Sequence, residues 1–131
     1  MFELTQTRLL VEDLARSRAF YTDVMGLCVG FESPIYVQLE SPSGVSVGLF
    51  PRTAMAEAIG ARRGEGAASS GDADRGVLVF RVADVDVAAA VLVERGAVQV
   101  GPPTDRREWG LRTAHFRDPD GHLIELIRRL E

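Results

Sequence analysis

The chain has 131 residues, a net charge of −4 at pH 7 and 46% hydrophobic residues, which fits one soluble globular domain or two small halves sharing a core. The acidic balance argues against a nucleic-acid partner, and no apolar run approaches the ~20 residues of a membrane span. The N-terminus lacks a signal-peptide pattern, so we expect a cytoplasmic protein without membrane association. The single Cys28 cannot form an internal disulfide and is expected to be a small buried hydrophobic side chain.

The first half of the chain predicts a strand, a helix and three short strands. Leu4–Val11 has the apolar, extended character of a strand. Asp13 can cap a helix in which apolar residues recur at helical spacing, and Gly26 ends it. Turn residues separate three further strands, which are expected at 27–32, 36–39 and 45–50.

The second half repeats this order after an intervening segment. We expect one or two helical turns over 53–59, ended by Gly60, and a mobile Gly/Ala/Ser-rich linker over 62–72. The later elements are expected to be a strand, a helix and three strands, over 76–82, 85–95, 97–100, 111–116 and 122–128. Asp84 or Asp86 begins the helix, and residues 101–105 form a turn-rich loop.

The two halves also share sequence. Proline and glycine recur 77 residues apart, first as Pro42 and Gly44 and then as Pro119 and Gly121. Two copies of one unit predict an α+β fold of two βαβββ modules related by pseudo-twofold symmetry. The modules are expected at 1–52 and 76–131, joined by a linker with a possible short helix at 53–75. The turn at 118–121 is explained by its backbone chemistry and marks the fold rather than a site.

Two stretches resemble the vicinal oxygen chelate superfamily, which includes glyoxalase I, extradiol dioxygenases and the bleomycin resistance proteins. The first begins with Val11-Glu12-Asp13-Leu14 and continues through Phe20-Tyr21 to Gly26-Leu27, and the second is Asp118–Leu126. The resemblance implies curved mixed sheets that form a cup, which in this superfamily is often completed across a dimer, so a homodimer is expected. Trp109-Gly110-Leu111-Arg112 resembles the antibiotic-binding branch, where an aromatic side chain at the cleft edge stacks on a flat ligand.

The same resemblance implies four metal-ligand positions, which fall on Gln6, Gly48, Val77 and Glu125. Gly48 and Val77 have no side-chain donor, so a metal would be held weakly. His115 and His122 occupy none of these positions and are expected to be exposed or hydrogen-bonded structural residues. We therefore expect no cofactor, with a divalent metal held by Gln6 and Glu125 as the alternative.

Glu125 requires a role that does not involve a metal. Strand alternation puts Leu123, Glu125 and Ile127 on one face of the last strand, so Glu125 points into the cup if the other face packs under a helix. A carboxylate there must meet a donor or solvent. The candidate donors are Arg8, Arg81 and Arg112.

The sequence favours a metal-free protein that binds a small aromatic or antibiotic-like molecule, and whether it is also an enzyme stays open. The ligand-binding candidates are Gln6, Tyr36, Gln38, Trp109, Arg112 and Glu125. One alternative is a metal-dependent lyase, epimerase or dioxygenase that uses Gln6 and Glu125. Another is a cofactor-free proton-transfer enzyme with Glu125 as its base.

Overall fold

A computed structural model describes residues 1–60 and 74–131 of the chain. Contacts divide the protein into two compact units, Met1–Ala67 and Ala68–Glu131. Each unit contains one four-stranded mixed sheet with helices, which confirms the expected α+β class. The linker predicted at 62–72 lies outside the described residues. No helix within the described ranges has the length and apolar character needed to cross a membrane.

The first unit has the predicted element order. Its elements are β1 (Arg8–Val11), α1 (Leu14–Ala19), β2 (Cys28–Ser33), β3 (Tyr36–Glu40), β4 (Ser46–Pro51) and α2 (Arg52–Ile59). The strand order is β1-β4-β3-β2, with β1 parallel to β4. Asp13 caps α1 by accepting a hydrogen bond from the Arg16 amide at 3.0 Å, and a π-helical turn continues α1 over Phe20–Val24. β1 begins at Arg8 rather than at Leu4, because pairing with β4 begins there.

The second unit repeats this topology. Its elements are β5 (Val77–Arg81), α3 (Val85–Glu94), β6 (Val98–Arg106), β7 (Leu111–Arg117) and β8 (Leu123–Arg129). The strand order is β5-β8-β7-β6, with β5 parallel to β8. Of the two candidate caps, Asp84 is the residue that caps α3, since its carboxylate accepts from the Val87 amide at 3.1 Å.

The loop predicted at 101–105 is instead part of β6. Prolines at 102 and 103 suggested a loop, but β6 lies at the edge of its sheet, where a missing amide donor is tolerated. The pairing with β7 shifts register on both sides of Gly101, which absorbs the irregularity.

The two proline–glycine turns have matching hydrogen bonds. The Ser41 amide donates to the Val45 carbonyl at 2.9 Å, and the Asp118 amide donates to the His122 carbonyl at 3.0 Å. In the second turn the Asp118 carboxylate also accepts from the amides of Asp120 and His122, both at 2.9 Å. The internal sequence repeat therefore corresponds to the same backbone hydrogen bonding in the turns that begin at Ser41 and Asp118.

In each unit the helix side of the sheet carries the core, and we call the opposite side the open face. Alternation along β8 buries Ile124 and Leu126 beside α3 and turns Glu125 to the open face, as predicted. Cys28 is exposed, which corrects the expectation that it is buried. The neighbouring Leu27 takes the core position instead.

Candidate functional site

Arg8 is the centre of a polar and aromatic cluster on the open face of the first unit. Its guanidinium donates to the Oε1 atom of Gln6 at 3.0 and 2.6 Å. The Arg8 Cζ atom also lies 5.3 Å from the ring centroid of Tyr36 and 5.8 Å from that of Phe50. A guanidinium at this distance is attracted to the ring electrons, which fixes the cation over the two rings.

Strand register brings the other members of the cluster together. Arg8 on β1 and Gln38 on β3 both pair with Gly48 on β4, and Tyr36 lies two residues from Gln38 on the same face. The Tyr36 hydroxyl donates to Gln38 Oε1 at 3.4 Å, and the Phe31 ring lies 6.2 Å from the Tyr36 ring. We call this set the arginine–aromatic cluster; its members are Gln6, Arg8, Phe31, Tyr36, Gln38 and Phe50.

Gly48 allows the Tyr36 ring to lie close to the sheet. A Cβ atom at position 48 would be 2.7 Å from Tyr36 Cε1 and 2.8 Å from the Tyr36 hydroxyl oxygen.

The structure brings three of the six predicted site residues, Gln6, Tyr36 and Gln38, into the arginine–aromatic cluster. Phe31 and Phe50 were missed, although the register with Gln38 and the alternation along β4 place them there.

Glu125 is paired with His115 on the open face of the second unit. The His115 Nε2 atom lies 2.8 Å from Glu125 Oε1, and the two side chains are only 19% and 17% exposed. The expectation that an arginine pairs with Glu125 is wrong, because β7 places His115 directly opposite it. The sequence held this signal, since His115 and Glu125 are equally distant from Asp120 in the centre of the turn.

Trp109 lies in the turn between β6 and β7 and is 56% exposed. The Arg106 Cζ atom lies 5.7 Å from its ring centroid. A large exposed ring on a turn can stack on a flat molecule. Its role in ligand binding stays a prediction.

Arg112 holds the second unit together rather than facing Glu125. It donates to both carboxylate oxygens of Asp86 on α3, at 2.7 and 2.9 Å, and to Asp105 on β6 at 2.9 Å. Hydrogen bonding to Arg112 lowers the pKa of Asp86 below its ordinary value. These pairs occupy both sides of the guanidinium and tie the helix and the edge strand to β7.

The residues at the four positions where the family resemblance implies metal ligands do not have the donor chemistry that a metal requires. Gln6 Oε1 accepts from the Arg8 cation, and Gly48 and Val77 supply no donor. Glu125 is bound to His115. A divalent cation would have to displace a guanidinium at one position and would gain no ligand at two others.

Asp118, Asp120 and His122 form a group whose potential ligand atoms all lie within 4.8 Å of one another. The Asp118 carboxylate already accepts from two backbone amides and contacts His122 Nδ1 at 2.7 Å. These bonds stabilise the turn before β8 and account for the cluster without a metal.

Comparison with known proteins agrees with this geometry. Residues 3–126 match the Glyoxalase/Bleomycin resistance protein/Dioxygenase superfamily. The uncharacterized protein YraH of Bacillus subtilis is 39% identical over 131 residues, which cover 98% of this chain and 99% of YraH.

Two solved structures have the same fold. A glyoxalase/bleomycin resistance protein/dioxygenase family enzyme from Burkholderia phytofirmans is 22% identical with a TM-score of 0.77, covering 95% of this chain and 97% of that one. TnmS3, an antibiotic-binding protein from Streptomyces sp. CB03234, is 25% identical with a TM-score of 0.69, covering 98% and 97%. The chain belongs to the glyoxalase/bleomycin resistance protein/dioxygenase superfamily.

Proposed function

We propose that the protein binds a small planar aromatic molecule on the arginine–aromatic cluster and that it does so without a metal. The observation that carries the proposal is the position of Arg8 and Tyr36. The Arg8 guanidinium hydrogen-bonds to the Gln6 amide oxygen, and the Tyr36 ring lies against Gly48. Two positions where the family resemblance implies metal ligands therefore help to build an aromatic surface. The structurally similar protein TnmS3 binds an antibiotic, which supports an antibiotic-like small molecule as the ligand.

The cluster has the chemistry that a flat ligand requires. Its rings offer stacking surface, and the exposed Phe31 (57% exposed) leaves much of that surface available to a ligand. Gln38 and Gln6 place amide groups beside the rings, where they can fix the orientation of a polar substituent. Trp109 offers a separate exposed aromatic ring in the second unit as a candidate ligand contact, and a homodimer belongs to the proposal as its assembly state.

The test is a calorimetric binding screen with planar aromatic and antibiotic-like compounds, repeated on single variants. Tyr36→Ala is expected to weaken binding by about tenfold or more, because stacking and cation–π contacts of about 0.5–2 kcal/mol are lost together. Ile35→Ala is the matched control, since Ile35 is also exposed but lies in the turn beside the cluster. Equal losses in the two variants would contradict the proposal.

Metal content is measured on the same protein, purified without chelator. Near-stoichiometric metal that is lost in Glu125→Ala would overturn the metal-free proposal. A ligand at 100-fold excess over its Kd should stabilise the folded protein by about 2.7 kcal/mol, so thermal shifts with nickel, zinc, manganese and iron(II) provide a second readout.

A further inference from the structure

Helix α3 of the second unit is apolar on both of its sides. The side that packs on the sheet is buried and consists of Val85, Ala89 and Leu92. On the opposite side Val87 is 60% exposed and Val91 is 36% exposed, with the exposed Ala90 between them. We call this side the outer face of α3; its members are Val87, Ala90, Val91 and Glu94. A helix that is apolar all round is normally buried, so the outer face has the composition of a contact surface.

The equivalent helix of the first unit does not have such a face. Asp13 caps α1 and Asp84 caps α3 in the same way, since each carboxylate accepts from the amide three residues further on. That third residue is the exposed Arg16 in α1, whereas it is Val87 in α3. An arginine keeps its charge in water, so the fold does not require an apolar residue at this position. The exposed valines are therefore a property of α3 and not of the βαβββ module.

We infer that two copies of the chain associate through the outer face of α3, with the two helices packed antiparallel about a twofold axis. Twofold dimers are the commonest soluble homo-oligomers, and in them one patch meets the same patch of the partner. This contact removes the exposed valines of both copies from water, which favours association. The small side chain of Ala90 at the centre of the face lets the helix axes approach to about 8 Å.

The charges at the two ends of α3 favour the antiparallel arrangement. Asp84 is the N-terminal cap residue and Arg95 is the C-terminal cap residue. They are about three helical turns apart, so they lie on the same flank of the outer face. Antiparallel packing about a twofold axis exchanges the ends but keeps the flank, and Arg95 therefore lies beside the partner's Asp84. A parallel arrangement would instead bring like charges together at both ends.

Glu94 also fits the antiparallel arrangement. It is the last residue of α3 and lies on the outer face. In the antiparallel pair it lies beside the first turn of the partner's helix, where the helix dipole stabilises a negative charge. The acidic member of the face is therefore compatible with burial of the valines around it.

The size of the contact determines how strongly the copies associate. α3 has ten residues and is about 15 Å long, so two such helices bury less than the roughly 1,200–2,000 Å² of a stable interface. We expect a reversible dimer that dissociates on dilution. The inference rests on the proposed function only for the homodimer, to which it assigns a contact. It does not depend on the arginine–aromatic cluster, which belongs to the first unit.

The first experiment tests the contact by disulfide cross-linking. Cys28 is the only cysteine of the chain, so Ala90→Cys in a Cys28→Ser background places a single thiol at the centre of the outer face. A twofold axis near residue 90 brings the two thiols within reach of a disulfide, and mild oxidation should link most of the protein into dimers. The control is Val45→Cys in the same background, at a 69% exposed position in the turn before β4, and it should link slowly. Equal rates at the two positions would overturn the inference.

The second experiment measures the dissociation constant of the dimer by sedimentation over a range of protein concentrations. Val91→Asp should raise it by about tenfold or more, because the contact would then bury an unpaired charge. Val45→Asp adds the same charge at an exposed valine of the first unit and should leave it unchanged. Far-UV circular dichroism checks that both variants are folded.

Two outcomes contradict the inference in different ways. A wild type that stays monomeric would refute both the α3 contact and the homodimer, and the outer face would then belong to a different partner. A dimer that neither links through position 90 nor weakens in folded Val91→Asp would refute the α3 contact alone. Ligand binding to the arginine–aromatic cluster is measured separately by calorimetry, so its failure is distinguishable from either outcome.

Discussion

The ring of Tyr36 and the bare backbone of Gly48 occupy one position on the open face of the first unit. A Cβ atom on residue 48 would lie 2.7 Å from the ring, closer than real side chains approach. An aromatic surface and a metal-ligating side chain are therefore alternatives at this position. Gly48 therefore lets the first unit present aromatic rings at a position where the family resemblance implies a metal ligand.

Gly48→Ala tests this relationship directly. The backbone at Gly48 does not have a positive φ, so the substitution acts through the contact with Tyr36. Overpacking of this kind costs about 1–3 kcal/mol, and the variant should be destabilised by about 1 kcal/mol while its tyrosine near-UV circular dichroism changes. Urea unfolding measures the first effect.

Gly76→Ala is the matched control for that substitution. A Cβ atom at position 76 meets nothing within 4 Å, and its φ is also not positive. This variant should be as stable as the wild type or more stable by a few tenths of a kcal/mol, up to about 1. If Gly48→Ala had the same free energy of unfolding as the wild type, the Tyr36 ring would not lie against the backbone of residue 48.

Cys28 should react quickly with a thiol reagent in the folded protein. It is exposed and lies at the start of β2, on the side of the sheet away from the core. The rate at which Cys28 reacts with the reagent should lie within about tenfold of its rate in the urea-unfolded protein. A buried thiol would react only when the protein unfolds. Protection that disappears only in denaturant would contradict the structure.

The sequence predicted the fold well because the fold depends on local signals. The caps at Asp13 and Asp84 and the turn at Gly121 are set by residues within four positions of one another. Cys28 follows the core residue Leu27, and successive residues of a strand point to opposite faces, so Cys28 points away from the core. An apolar residue in a short strand gives no sign of which side is buried, so that expectation failed.

The site was predicted only in part, because its partners come from different strands. Tyr36 and Gln38 were found together, since they are two residues apart on one strand. The partner of Glu125 was expected to be an arginine, because charge suggests arginine first. The register of the β7–β8 hairpin selects His115 instead, and only counting outward from the turn would have found it.

Asp118→Ala should be among the most destabilising single changes in the second unit. Asp118 is 5% exposed and accepts from two backbone amides at 2.9 Å, while it contacts His122 Nδ1 at 2.7 Å. Hydrogen bonds to a charged group contribute about 1.5–3 kcal/mol, so a loss of about 2–3 kcal/mol is expected in urea unfolding. Asp118→Asn should lose less, since it keeps an acceptor for the amides.

Ser41→Ala provides the comparison in the equivalent turn of the first unit. Among the described residues, the Ser41 hydroxyl makes weak contacts with Ser43 alone, at 3.2 and 3.5 Å. The change should cost less than about 0.5 kcal/mol, as is usual for surface sites. Similar costs at Ser41 and Asp118 would mean that the shared backbone bonds, and not the carboxylate, stabilise both turns.

Arg112→Gln should make the protein less stable at neutral pH and less sensitive to acid. Arg112 lowers the pKa of Asp86, so Asp86 binds fewer protons in the folded state than in the unfolded state. This contribution is present above the ordinary aspartate pKa of about 3.9 and is lost as the pH falls through the lower folded value. The difference in stability between wild type and variant should therefore shrink as the pH falls from about 5, where Asp86 is ionised in the folded and unfolded protein, toward about 2, where Asp86 becomes protonated.

Urea unfolding at several pH values measures that difference, and Arg107→Gln is the control. Arg107 is exposed in the turn before β7. Replacing it removes the same charge but no interaction that shifts the pKa of Asp86. Its unfolding curve should stay parallel to that of the wild type at every pH. A constant gap between wild type and Arg112→Gln would show that Arg112 acts through packing of its side chain, since lost packing does not depend on the protonation of Asp86.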